Sequence, residues 1–141
     1  MTIIYVAVSK ETQRWGADVG LTKHIYKLGF AEGESKIAAD QAIAALNQES
    51  HAGAADWKLI KFQPVEGVDE TTAYERLAKR ERMADPGYYP HLKGARGVFK
   101  LKPGNVEAQM LVRRAMDDPD AKPAKSKIVD VADYLIRNAL R

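Results

Sequence analysis

The stretches Thr2-Ile3-Ile4-Tyr5-Val6-Ala7-Val8 and His24-Ile25-Tyr26-Lys27-Leu28-Gly29-Phe30 decide the fold of this 141-residue chain. Both are rich in β-branched and aromatic residues, which fit the pleated surface of a strand. In the first, Ile3, Tyr5 and Ala7 alternate with Ile4, Val6 and Val8, so both of its faces are apolar and both are expected to be buried. The second runs through Gly29 towards Ser35, where an alanine-rich helix begins. Paired, the two strands form an antiparallel hairpin that sets Tyr5, Lys27 and the first turn of that helix side by side, a cradle suited to phosphate.

Outward from this pair, residues 9–23 read as a long polar connection punctuated by Gly16 and Gly20. Lys36 to Leu46 reads as a helix with apolar positions 38, 42, 45 and 46 on one stripe. Trp57 to Phe62 is a third strand ended by Pro64 and Gly67. Asp69 to Met83 is a second helix, with acids in its first turn and bases later, as the helix dipole favours. Val98 to Leu101 is a short closing strand, and Val106 to Met116 a third helix. Residues 117–127 form a proline-containing linker, and Ile128, Val131, Leu135 and Ala139 mark an amphipathic last helix. The predicted class is α+β: a small mixed or antiparallel sheet of three to four strands flanked by helices over residues 1–116, a linker at 117–127, and a C-terminal helix over 128–141.

With 45% hydrophobic residues, a chain of this length buries a core without covalent staples. Cysteine is absent, which removes disulfides, thiolate metal sites and cysteine nucleophiles and fits a reducing, cytoplasmic compartment. No basic leader opens the chain and no apolar run nears the roughly 20 residues that cross a bilayer, so no membrane partner is expected. Net charge is only +3, but residues 58–114 hold twelve Lys/Arg against seven Asp/Glu. A field of that sign favours polyanions, whose neutralised phosphates release counterions.

The basic run Arg76, Lys79, Arg80 and Arg82 continues as Lys93, Arg96, Lys100 and Lys102, interleaved with Tyr88, Tyr89 and Phe99. Cations that hold a backbone beside rings that stack on bases suit nucleic acid, DNA ahead of RNA. His24, His51 and His91 are too far apart for a His-based metal site. The chain has neither the Gly-Lys-Ser/Thr ending of a nucleotide loop nor a Gly-x-Ser-x-Gly elbow. From the residues alone, Tyr5 also fits a core aromatic, and Glu75 a solvated partner of Lys79 one helical turn on.

The order of elements resembles the GIY-YIG nuclease superfamily, in the small phage-type branch whose second motif is Lys-Ile-Gly-like. Ile4-Tyr5-Val6 stands for the first motif and Tyr26-Lys27-Leu28-Gly29 for the second. Asp56-Trp57-Lys58-Leu59-Ile60 is similar to the third strand, Val68 to Leu77 to the glutamate-bearing helix, and Lys93 to Phe99 to the closing strand. The resemblance implies a metal-dependent phosphodiester endonuclease using Mg²⁺ or Mn²⁺, with Tyr5 near the attacking water, Lys27 and Lys36 at the phosphate, and Glu75 as catalytic metal ligand. Arg76, Lys79, Arg80, Arg82, Tyr88, Lys93 and Arg96 would carry the nucleic acid. Family spacing places the phosphate-steadying arginine at Ile37, with only Lys36 beside it, which implies a catalytically degenerate member. Two alternatives stand beside it: a non-catalytic nucleic-acid-binding module, and a protein-interaction accessory factor using the C-terminal helix, whose stripe suits docking onto the body first and a homodimer second.

Overall fold

The computed structural model describes residues 2–19, 24–33, 35–83, 97–120 and 127–140. Its class is α+β, and the sheet is antiparallel throughout. Among the described residues it has five strands in the order β3-β1-β2-β5-β4: β1 (Thr2–Val8), β2 (Ile25–Glu32), β3 (Lys58–Val65), β4 (Arg82–Met83) and β5 (Val98–Lys100). The helices are α1 (Lys10–Asp18), α2 (Lys36–Gln48), α3 (Glu70–Ala78), α4 (Pro103–Asp117) and α5 (Ile128–Leu140).

Strand β1 lies inside the sheet between β2 and β3, and its residues Ile3 to Ala7 are all buried. Two layers explain why both of its faces are apolar. Ile4 and Val6 join Leu28 and Phe99 in a core closed by Tyr74 and Leu77 of α3 and by Leu135 and Ile136 of α5. Tyr5 and Ala7 join Ile25 and Val98 on the other side, closed by Ile43 and Leu46 of α2 and by Trp57. Ile3 meets Ala38 and Ala39 of α2. The buried stripe of α2 is therefore Ala38, Ala39, Ile43 and Leu46, whereas Ala45, expected inside, is exposed.

Four expectations are corrected. The connection after β1 contains a helix, α1, nucleated by Ser9: its hydroxyl oxygen accepts the Thr12 N–H at 3.1 Å and its hydroxyl proton goes to Asp56. Strand β3 runs past Phe62 to Val65 because it is an edge strand, where Pro64 forfeits no ladder bond on its open side. Helix α3, capped by Asp69 accepting the Thr72 N–H at 2.7 Å, ends at Ala78 rather than Met83. The chain then turns, because the amides of Arg80 and Glu81 both donate to the Leu77 carbonyl at 2.9 Å, and β4 follows as a fifth strand.

Three of the four residues expected on the stripe of the C-terminal helix are spent inside the same core, and the fourth, Ile128, is exposed. Val131, Leu135 and Ala139 are buried against the sheet and α3, so this face of α5 is not open to a second copy. Between Val6 and Ala7 the β1–β3 ladder shifts register at a bulge: Val6 faces Lys61, Ala7 faces Leu59, and Ile60 is the extra residue. Ile60 and Lys61 thus both turn to the α5 side, where the Lys61 ammonium meets Asp133 at 2.8 Å. Among the described residues, no helix is long and apolar enough to cross a membrane.

Candidate nucleic-acid interface

The residues expected to catalyse do not share a cleft. Tyr5 and Lys27 lie on the sheet face beneath α2, since Tyr5 pairs with Gly29 and Ala7 with Lys27, and both side chains are buried. Burial, with a smaller contribution from the Glu70 carboxylate, pushes the Tyr5 phenol up to about 12, a value that suits a packed aromatic rather than a proton acceptor at neutral pH. Lys36 opens α2 in solvent, with Asp40 one turn away at 4.0 Å. Glu75 is exposed on α3, the helix that covers the opposite sheet face, so the sheet lies between it and Tyr5. Among the described residues no three His, Asp or Glu side chains gather as metal ligands. The donor set of the described residues therefore does not fit a Mg²⁺ or Mn²⁺ ion serving Tyr5.

The basic residues do converge. Past the end of α3, Lys79, Arg80 and Arg82 surround a hollow of about 600 Å³ with Lys100 of β5 and Lys102 at the start of α4. Arg82 stands directly opposite Lys100 in the β4–β5 ladder. Among the described residues, none of these five side chains is held in a hydrogen bond or ion pair. A smaller recess of about 290 Å³ continues the surface, lined by Arg76, Lys79, Arg80 and Asn138. There one guanidinium nitrogen of Arg76 donates to the Leu140 carbonyl at 3.0 Å. Tyr88, Lys93 and Arg96, expected on the same surface, lie outside the described residues.

One acid lines the larger hollow, and it is engaged from within. The buried Glu81 carboxylate accepts the Lys102 N–H at 3.2 Å, the Asn105 side-chain amide at 2.9 Å and the Tyr134 hydroxyl at 3.0 Å. It thereby ties the turn after α3 to the first turn of α4 and to α5, and caps α4 where Lys102 cannot. Burial first, and then the charge and hydrogen bond of Glu81, push the Tyr134 phenol up to about 12. In the sequence Glu81 looks like one more surface charge between Arg80 and Arg82. Its role depends on partners 21 to 53 positions away, which no local pattern reveals.

Two further cations were missed. Arg113 of α4 and Arg137 of α5 flank Asp133, at 3.5 and 3.2 Å, and face a second hollow that also includes Lys79 and Arg80. Their spacing of 24 positions hides the pairing in one dimension, although both helices could be anticipated. No protein-family model, no curated protein and no solved structure matches this chain.

Proposed function

We propose that this chain binds the phosphate backbone of nucleic acid, without cleaving it, across the hollow formed by Lys79, Arg80, Arg82, Lys100 and Lys102. The observation that carries this reading is the facing pair Arg82 and Lys100. Like charges directly opposite on neighbouring strands destabilise a sheet. A single charge on an edge strand guards against edge-to-edge pairing, and Arg82 alone would serve that end. Five cations round one recess, none of them paired among the described residues, go beyond it and match a ligand that brings several negative charges. The reading keeps the nucleic-acid half of the GIY-YIG resemblance. It gives up the cleavage half, because the tyrosine and lysine proposed for chemistry are buried and the glutamate is on the far side of the sheet.

Fluorescence anisotropy with short labelled DNA and RNA oligonucleotides, repeated over a salt series, tests it. Binding is expected to weaken steeply with salt, with a log–log slope near −0.9 for each duplex phosphate neutralised, hence on the order of −3 to −5. Arg82→Glu with Lys100→Glu is expected to lower affinity about tenfold or more and to flatten the slope. Affinity that ignores both salt and these reversals overturns the proposal. Plasmid nicking with Mg²⁺ or Mn²⁺ that Glu75→Ala abolishes would replace it with the endonuclease reading.

A further inference from the structure

Helix α4 is fifteen residues long, yet Val106 is its one fully buried side chain. A helix of that length draws most of its stability from an apolar face that is covered. Here such a face points outward. Ala108, Val112 and Met116, spaced four apart, line a hollow of about 720 Å³ between α4, α5 and the end of α3. Val112 is 62% and Met116 82% exposed. The stripe runs about 12 Å along the helix, given 1.5 Å per residue. All three elements give its rim cations, Lys79 and Arg80 from the end of α3, Arg113 from α4 and Arg137 from α5, beside the neutral Asn105, Gln109 and Tyr134. Among the described residues no carboxylate lines it.

This combination selects an occupant. A second copy meeting through a twofold axis would set the same four cations against themselves, which costs rather than gains. Nucleic acid would satisfy the cations but brings no aliphatic surface to cover Val112 and Met116. An amphipathic helix with acidic flanks satisfies both, laying apolar residues at helical spacing along the α4 stripe and carboxylates against the guanidinium and ammonium groups. Arg113 and Arg137 keep donors for it beyond those aimed at Asp133, since each guanidinium has five. We propose that the hollow between α4, α5 and the end of α3 docks an acidic amphipathic helix of a partner protein. The site is separate from the hollow of Arg82 and Lys100, though Lys79 and Arg80 border both.

Three synthetic helical peptides test this, sharing one leucine face and differing only in flanks of Glu, Gln or Lys. Each is titrated by fluorescence anisotropy into the full chain and into Val112→Ser and Met116→Ser. Both positions are solvent-exposed, and circular dichroism melts check that the variants stay folded. The Glu-flanked peptide is expected to bind about tenfold or more tighter than the Gln-flanked one, the Lys-flanked one not to bind, and each serine variant to weaken the Glu-flanked peptide by about tenfold. Equal binding of the Glu- and Lys-flanked peptides, or affinity unmoved by both serine variants, overturns the proposal. So does sedimentation showing a dimer of the free chain that Met116→Ser dissociates, which would make a second copy the occupant.

Discussion

The ring of Tyr5 lies over Gly29 on the neighbouring strand, so close that a Cβ at position 29 would stand 2.4 Å from both its Cζ and its hydroxyl oxygen. The glycine that resembles a nuclease motif is thus accounted for by packing: an aromatic side chain fills the space a side chain at 29 would take. Gly29→Ala is expected to destabilise the fold by about 1–3 kcal/mol through overpacking. Tyr5→Ala alone is expected to cost about 3–5 kcal/mol, and the double variant less than the sum, because the clash disappears with the ring. Urea unfolding of the four proteins measures the coupling, and strict additivity would refute the contact's role.

Raising pH above 10 is expected to weaken the protein. Tyr5 and Tyr134 are both pushed from 10.0 up to about 12, chiefly by burial, and burial raises Tyr26 as well, so the folded chain keeps phenol protons that the unfolded chain releases. Their stabilisation is complete below pH 10 and is lost as pH rises towards 12. Tyr134→Phe should flatten part of that decline in thermal melts taken across this window. An unchanged slope would deny Tyr134 its buried bond to Glu81.

On the acid side the sign reverses. Burial would lift the Asp133 carboxyl, but the hydrogen bond and charge of Lys61, with Arg137 and Arg113, outweigh it and hold the group below the usual carboxylate range. Its contribution is therefore present above the unfolded value of 3.8 and fades as pH falls through the depressed folded value. Asp133→Asn is expected to cost about 1 kcal/mol at neutral pH, less at high salt, and little in strong acid, as read from denaturant midpoints.

A trade between stability and binding is expected at the β4 edge. Arg82→Glu converts the facing cations of β4 and β5 into an opposite pair, which should raise stability by about 0.2–1 kcal/mol. The same change should weaken oligonucleotide binding. A variant that lost both would point to a purely structural role for Arg82.

The layered sheet was legible because β1 is apolar on both sides, a pattern that requires cover above and below it, because α2 and α5 carry apolar spacing of helical period, and because α3 places acids before bases. Helix α1 was hidden by its polarity: of its nine residues only Thr12 and Gly16 are buried, so no apolar stripe announces it. The Ser9 cap and Glu11 in the first turn were the available signals. Strand β4 was hidden by the opposite effect, since Glu75 to Arg82 continues a good helical composition, and the turn onto the Leu77 carbonyl and the inward bonds of Glu81, which end the helix early, leave no local signal. The cationic surface was legible as composition, whereas its division into two hollows required α4 and α5 to be seen against the end of α3.

The odd residue in β3 also bears on how this chain tolerates changes of length. Because Ile60 is surplus to the pairing with β1, removing it leaves Leu59 and Lys61 on the sides they already occupy. Removing Gln63 instead would force one end of the strand to swap inside for outside. The bulge is thus a splice point in the outer strand, and calorimetric melts of the two single deletions should rank the loss at 60 as much the milder.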